Sequence, residues 1–338
     1  MTKLKVFSTI AICMIIALSV FIQKADAKAK YTIKHYCVAP PVSSVNTSME
    51  KMSKFLKEES GGNLEMKIFP SGQLGPESQG LNSLKIGAVQ SAAITAGTLS
   101  LLEPKANIMM LPYAFKTFND LVTFSKSETL SKIGESLETK GIKLMGVGGY
   151  GFFNILSTKK HLTEVNEFKG LKIRVLPTPI LVEFYKTLGA VPTPIAFPEV
   201  YTGLQQGVIG ATDATLESSW GGKQYEVATY LTRTDHLYGW WLYLVNKAWY
   251  DKLPVKTQKL VSKGFTDYTA TALNETKKFK SMVLKFYTEK KINMIQLSDE
   301  ERNALRKKTY GIHEKYKDAI GPDLMNLFYK ELNFKKPL

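Results

Sequence analysis

The apolar residues of this chain follow two patterns: short apolar runs that predict strands, and stretches with apolar residues every three or four positions that predict helices. Over the first hundred residues they predict strands at 31–38, 64–69 and 91–95, and helices over 43–60 and from Pro76. Because strands and helices alternate in this way, we expect an α/β fold with mostly parallel sheets covered by helices.

The same alternation continues through the rest of the chain. The stretch 171–213 has the pattern of strand, helix, short strand, helix and strand. One helix is predicted over 119–140, a second over 254–287, and two more over 298–332. The second of these is longer than the usual globular helix and could span two domains.

A glycine-rich segment at 146–151 directly follows the strand predicted at 142–147. It reads G-V-G-G-Y-G, which formally matches the G-x-G-x-x-G signature of dinucleotide sites. That signature requires a helix to begin there, because the helix N-terminus holds the pyrophosphate. Here the residues 152–156 continue as β-type sequence instead. We therefore predict a hinge between two domains, for which 338 residues are sufficient.

The first 27 residues have the organisation of a secretory signal peptide. Lys3 and Lys5 precede an apolar run at 6–22, and the exit Ala25-Asp26-Ala27 fits the small-x-small cleavage pattern. The alternative is an uncleaved membrane anchor, although the run is short for a span. We expect cleavage after Ala27 and a periplasmic location.

Charge and cysteine content exclude several classes of protein. The chain carries 45 Lys and Arg against 30 Asp and Glu, but the lysines are scattered and no nucleic-acid-binding motif accompanies them, so no nucleic-acid partner is expected. Cleavage would leave Cys37 as the single cysteine, without a partner for an intramolecular disulfide. The four histidines show no metal-ligand spacing and no G-x-S-x-G elbow occurs, so neither an enzyme nor a cofactor is predicted.

Arg174 is a cation flanked on both sides by apolar residues, Ile173 and Val175, in the strand predicted at 171–176. A guanidinium at a strand end suits bidentate capture of a carboxylate. The alternative is a side chain that lies along the sheet and extends its charged end into water. The pattern of this strand does not distinguish the two.

Six sequence blocks, in this order along nearly the whole mature chain, resemble the DctP-type periplasmic solute-binding proteins of tripartite ATP-independent periplasmic (TRAP) transporters. They are S-G-G-N-L at 60–64, F-P-S-G-Q-L-G at 69–75, L-P-Y-A-F at 111–115, F-K-G-L-K-I-R-V at 168–175, L-G-A-V-P-T-P at 188–194 and F-P-E-V-Y-T-G-L-Q-Q-G-V at 197–208.

This resemblance implies a two-lobed periplasmic-binding-protein fold with a long inter-domain helix. It implies one domain at 28–150 plus 241–279 and a second at 151–240 plus 280–338. The implied function is capture of a small organic acid between the lobes and its delivery to the small and large membrane permease subunits, driven by an ion gradient. Two alternatives are a binding protein of an ABC transporter or sensor, and a periplasmic enzyme.

The resemblance also assigns roles to site residues. Arg174 would clamp the ligand carboxylate, and Phe197 would pack on the carbon body. Where many relatives carry a second cation in a G-F-R motif, this chain has Phe153. Where many carry D-G-Q-E-N-P, this chain has Ala214 in place of the amide, which leaves Asp213 as the polar group.

These departures argue against a standard dicarboxylate. They favour a monocarboxylate, an aromatic or keto acid, or a zwitterion whose positive end meets Asp213 or an aromatic face. The aromatic candidates are Phe153, Tyr150, Trp220 and Trp240. Alternatively, the missing donors come from elsewhere, for instance from Gln73, Asn154 or Thr95.

Overall fold

The structure of the protein is a computed structural model that describes residues 29–270 and 272–337. The expected signal peptide at 1–27 lies outside the described residues. Within the described part, no helix has the length and apolar character needed to cross a bilayer.

The fold is a mixed α/β structure in which ten strands form one extended sheet with two lobes. The strands are β1 (Tyr31–Cys37), β2 (Leu64–Phe69), β3 (Ser91–Thr95), β4 (Ile142–Ser157), β5 (Lys172–Val175), β6 (Val191–Pro194), β7 (Ala211–Thr215), β8 (Tyr230–Arg233), β9 (Tyr238–Asn246) and β10 (Asn293–Gln296).

Helices cover the sheet on both sides. They are α1 (Ser44–Glu59), α2 (Glu77–Lys85), α3 (Ala96–Leu99), α4 (Phe118–Phe124), α5 (Glu128–Glu138), α6 (Pro179–Thr187), α7 (Val200–Gln205), α8 (Leu216–Gly221), α9 (Lys247–Asp251), α10 (Val255–Ala270), α11 (Ala272–Glu289), α12 (Asp299–Thr309), α13 (Gly311–Lys315), α14 (Lys317–Ile320) and α15 (Pro322–Glu331). Short 3₁₀ turns lie at Pro104–Met110, Val165–Phe168, Phe197–Glu199 and Gln224–Glu226.

The first lobe is built on strands in the order β2-β1-β3-β9-β4. The outer pairs of this lobe are parallel, whereas β9 runs antiparallel to both β3 and β4. In the second lobe β7, β5 and β6 are parallel neighbours, and the C-terminal part of β4 pairs antiparallel with β7 and β8. The α/β prediction is therefore confirmed, with antiparallel pairing concentrated where the lobes join.

Strand β4 connects the two lobes without interruption. Its residues from Ile142 to Phe152 pair with β9, and those from Phe153 to Ser157 pair with β7. The glycine-rich segment lies within this strand, at two irregularities in its register with β9. The glycines permit close packing: a Cβ at Gly149 would lie 1.9 Å from the hydroxyl oxygen of Tyr238.

The sequence predicted several elements at their observed places and misjudged the helix breaks. Strands β2 and β3 have the predicted bounds, and Ser43 caps α1 by accepting a hydrogen bond from the Asn46 amide. The helix predicted over 119–140 is two helices instead. Helix α4 ends at Phe124, and Ser127 caps the start of α5 by accepting a hydrogen bond from the Leu130 amide. The segment 298–332 forms four helices rather than two. The helix predicted over 254–287 corresponds to α10 and α11, which are helical at 255–270 and 272–289.

Two clusters of buried apolar side chains hold the fold together. The larger runs from β1 and α1 through β9 to α15, with Trp240 at its centre. The smaller lies in the second lobe between α7, α8 and α11. Trp220 belongs to this second cluster, where its ring packs edge-on against Phe279 at a centroid distance of 5.4 Å.

Candidate functional site

A cleft lies between the two lobes, lined by the residues that follow β1 and β3 on one side and by β5, the Phe197 turn and α8 on the other. Its empty volume is about 890 Å³ with the open mouth included. Carboxyl ends of parallel strands from both lobes meet there, which is where open α/β sheets bind ligands.

Arg174 in β5 projects one guanidinium edge into this cleft. Its Nε donates to the carbonyl oxygen of Ile195 at 3.0 Å and its Nη1 to that of Asp213 at 3.5 Å, whereas Nη2 is buried and has no protein partner. Burial lowers the pKa of Arg174 to about 10, and the charge of Asp213 opposes that shift. The group therefore stays cationic at neutral pH, with a free donor directed at the cleft.

Asp213 in β7 lies behind Arg174 rather than in the cleft. Its side chain is fully buried, with Oδ1 3.4 Å from Nε2 of His236. The His236 ring is held in turn by Thr234, at 2.8 Å from Nδ1, and by the Tyr185 hydroxyl, at 3.3 Å from Nε2. Asp213 therefore supplies a negative charge near the guanidinium, and its side chain is absent from the cleft lining.

Aromatic rings form much of the cleft wall. The Tyr150 ring lies 4.9 Å from that of Trp241 and 5.7 Å from that of Phe153, measured between centroids. Phe197, which is half-buried, lies on the opposite lobe. The rings offer flat apolar surfaces to a carbon skeleton and negative faces to a cation.

Glu77, the first residue of α2, brings a buried carboxyl group to the cleft. It accepts hydrogen bonds from the Thr95 amide at 2.6 Å, the Thr95 hydroxyl at 2.9 Å and the Thr98 hydroxyl at 2.6 Å. Burial raises the pKa of Glu77, while these hydrogen bonds and the charge of Arg174 act in the opposite direction.

Glu217 in α8 brings a second buried carboxyl group from the other lobe. Its Oε1 accepts from the Ser44 amide at 2.8 Å, and the Ser44 hydroxyl donates to both oxygens, at 2.8 Å and 2.9 Å. Burial raises the pKa of Glu217 to about 7. The cleft thus holds one guanidinium and two carboxyl groups.

The structure brings Arg174, Phe197, Phe153 and Tyr150 together around the cleft, with Thr95 beside them. It places the other sequence candidates elsewhere. Gln73 is exposed on a turn after β2, and Trp220 packs in the core of the second lobe. Trp240, also considered from sequence, is fully buried in the larger core.

Asn154 lies behind the cleft, in the wall of an adjoining cavity. Its amide nitrogen donates to the Phe152 carbonyl oxygen at 2.9 Å, and its carbonyl oxygen accepts from the Asp235 amide at 3.2 Å. The bond from Asp235 holds the loop between β8 and β9 against β4. Asp213 does not line the cleft either, and the carboxyl groups that do are those of Glu77 and Glu217.

The residues missed from the sequence are Trp241, Glu77 and Glu217. Trp240 and Trp241 are adjacent in β9, so their side chains leave opposite faces of the sheet, and only strand register says which faces the cleft. Glu77 and Glu217 each open a helix, a position where carboxylates are common for reasons of capping alone. No sequence signal separates a cleft carboxylate from an ordinary one there.

Comparison with known proteins agrees with this geometry. Residues 36–319 match the family described as bacterial extracellular solute-binding protein, family 7, or DctP. The chain belongs to this family.

Several characterised members are similar over most of their length. This DctP-family protein is 27% identical over 309 residues to the C4-dicarboxylate-binding periplasmic protein DctP of Rhodobacter capsulatus, covering 91% of this chain and 92% of that one. It is 31% identical over 225 residues to the 2,3-diketo-L-gulonate-binding periplasmic protein YiaO of Escherichia coli, covering 65% and 67%. The sugar acid binding protein DctPAm of Advenella mimigardefordensis, solved with galactonate, superposes with a TM-score of 0.86 at 24% identity, over 89% of this chain and 97% of that one.

Membership in this family establishes the class of function. The protein is an extracytoplasmic solute receptor and not an enzyme. The two-lobed fold matches that of the solved relatives. In the described part of the chain, no group of three or more His, Cys, Asp or Glu residues is placed to hold a metal ion.

Proposed function

We propose that this receptor binds a small organic acid in the cleft between its lobes, with the ligand carboxylate on Arg174. The observation that carries the proposal is the buried Nη2 of Arg174, which has no protein partner and faces the cleft. A buried guanidinium with a free donor edge is matched by a carboxylate in both charge and geometry. The ligands named for the relatives above are organic acids as well.

The neighbouring groups support the same use. Phe197, Phe153 and Tyr150 supply apolar surface for the carbon skeleton. Phe153 stands where many relatives have a second cation, so the cleft offers one guanidinium, which fits a single carboxylate. A second carboxylate on the ligand would lie near Glu77 or Glu217 and be repelled by either when ionised.

Calorimetry with variants tests this role. Native mass spectrometry of the purified protein identifies a co-purified ligand, and titration then gives its affinity. Arg174→Ala should weaken binding at least a hundredfold, and Arg174→Lys should also be poor because an ammonium cannot reproduce the fork. Lys172→Ala is the matched control, since Lys172 is an exposed cation on the same strand. Wild-type affinity in both Arg174 variants would contradict the assignment.

We further propose that the loaded receptor delivers its ligand to TRAP-type small and large membrane subunits, after export to the periplasm and removal of residues 1–27. Closure would occur about the strands near residues 150 and 240, between domains at 28–150 plus 241–279 and 151–240 plus 280–338. In proteoliposomes with TRAP membrane subunits of the same organism, uptake should require this protein and an ion gradient. Uptake that required ATP would favour an ABC-type partner instead.

A further inference from the structure

The charges around the cleft do not balance for a simple acid. Arg174 is a single cation, and it already lies near the buried Asp213. Glu77 and Glu217 add two carboxyl groups to the lining, both less than one-tenth exposed. Burial raises the pKa of both groups, to about 7 for Glu217. When both are ionised, a bound monocarboxylate leaves two negative groups facing the ligand without a positive partner, whereas a cationic ligand end favours their ionised forms.

The two ends of the cleft differ in charge. Glu217 is held by Ser44 at the beginning of α1, on the edge of the cleft where Ser43 and Pro40 also lie. Arg174 is held by Ile195 and the β7 backbone on the other side. The Tyr150 ring also lines the cleft, and its hydroxyl interacts electrostatically with Glu77, Asp213, Arg174 and Glu217.

Both carboxyl groups retain acceptor capacity. An ionised carboxylate offers about four lone-pair sites. Ser44 offers two donors to Glu217, its amide and its hydroxyl, and Thr95 with Thr98 offers three to Glu77. Each carboxylate therefore retains at least one site for a donor carried by the ligand.

The remainder of the lining disfavours a ligand rich in hydroxyl groups. Four of the serine and threonine hydroxyls there already donate within the protein, Ser43 to Pro40, Ser218 to Thr215, and Thr95 and Thr98 to Glu77, which leaves the exposed Ser78. The other lining side chains are largely apolar or aromatic. Several ligand hydroxyls would be desolvated without partners, which is costly. A cation, by contrast, is attracted to carboxylates and aromatic faces together.

We propose that the ligand is a zwitterion, with its carboxylate on Arg174 and a positively charged nitrogen at the opposite end, between Glu217 and the aromatic rings of Tyr150 and Trp241. This inference rests on the proposed function, since it requires an acid anchored at Arg174. Each charge of the ligand then meets an opposite charge in the cleft. Glu77 accepts a further donor from the ligand between the two ends.

Matched ligands test the positive end directly. Three series keep length and shape while changing one end: 4-aminobutyrate, 4-hydroxybutyrate and succinate; 6-aminohexanoate, 6-hydroxyhexanoate and adipate; and 4-(aminomethyl)benzoate, 4-(hydroxymethyl)benzoate and terephthalate. Thermal shift and calorimetry on the full-length mature protein should show the amine binding at least tenfold more tightly than both partners in at least one series.

The Glu217→Gln variant isolates the charge at the far end. It should weaken amine binding at least tenfold more than binding of the hydroxyl analogue, because a weaker contact with Ser44 would affect both ligands equally. Glu199→Gln, at an exposed carboxylate of the same lobe, is the control and should leave both unchanged. An equal effect of Glu217→Gln on amine and hydroxyl ligands would overturn the proposal.

The remaining outcomes separate this inference from the proposed function. If a dicarboxylate or hydroxy acid binds best and Arg174→Ala abolishes its binding, the zwitterion proposal fails and the organic-acid function stands. If acids bind equally well to Arg174→Ala, or the whole panel and the co-purified material contain no acid that binds, both fail.

Discussion

Ser44 and Glu217, 173 residues apart in sequence, are joined across the cleft by hydrogen bonds from the serine amide and hydroxyl to one carboxylate. The serine begins α1 in the first lobe, and the glutamate lies in the first turn of α8 in the second. The bond therefore links the two lobes at the edge of the cleft.

Removing the Ser44 hydroxyl should weaken ligand binding. Ser44→Ala retains the amide donor but loses the hydroxyl, a hydrogen bond to a charged group worth about 1–2 kcal/mol, so affinity should fall roughly five- to thirtyfold. Calorimetry with the co-purified ligand measures this. Thr47→Ala, an exposed change in the same turn, should leave affinity unaltered. An unchanged affinity in Ser44→Ala would show that the contact does not stabilise the closed state.

Glu217 should make the stability of the unliganded protein depend on pH. Burial raises its pKa to about 7, so its neutral form is favoured in the folded state. The corresponding stabilisation is fully present below the ordinary carboxyl pKa and lost as pH rises through about 7, by roughly 3 kcal/mol.

Urea unfolding at pH 5 and pH 8 gives the change in free energy of unfolding. The decrease from pH 5 to pH 8 should be smaller in Glu217→Gln than in the wild type. A Gln variant with the same pH profile as the wild type would rule out Glu217 as the titrating group.

Substitutions at Phe197 and Trp220 should affect different quantities. The first should change ligand affinity, and the second should change the free energy of unfolding. Phe197→Ala removes apolar surface from the cleft and should weaken ligand binding by about 2 kcal/mol, with little change in the free energy of unfolding. Trp220→Phe should lower the free energy of unfolding by about 1–2 kcal/mol and leave affinity unchanged, because its ring packs in the core of the second lobe. The reverse assignment of effects would place Trp220 at the ligand.

Gly149 should tolerate no side chain. An alanine Cβ would lie 1.9 Å from the Tyr238 hydroxyl oxygen, and the buried Tyr238 would have to move. We expect Gly149→Ala to lower the free energy of unfolding by about 1–3 kcal/mol.

Gly134→Ala is the matched control for this substitution. Gly134 lies within α5, and the nearest atom to its added Cβ, from Leu144, is 3.6 Å away. Gain of helix propensity should stabilise that variant by up to about 1 kcal/mol. Equal behaviour of the two variants in denaturant unfolding would contradict the packing argument.

Local patterns in the sequence were enough for the fold class. Strands such as β2 and β3 are short apolar runs bounded by turns, and α1 has both a capping serine and a terminal glycine pair. The sequence could not place the break before α5, because Ser125-Lys126-Ser127 is polar without glycine or proline. Nor could it show that the glycine-rich segment remains β-structure, which depends on pairing with the distant β9.

The sequence could predict a site residue only where its immediate neighbours in sequence distinguish it. Arg174 stands out as a cation flanked by apolar residues in a strand, and the resemblance to a family supplied its role. Glu217 and Ser44 could not be paired from sequence, since their contact depends on how two helices from different lobes approach each other. The choice between Trp240 and Trp241 depended on the register of one strand.

The continuity of β4 has a consequence for any attempt to divide this receptor. One strand supplies backbone partners to both halves of the sheet, and β9 returns from the second half to complete the first. Cutting the chain near residue 150 would divide β4 into two parts. Each fragment would then expose a sheet edge with unpaired backbone amides. Ligand preference therefore cannot be exchanged between relatives by transplanting a half-receptor, and must change through individual cleft side chains on an intact backbone.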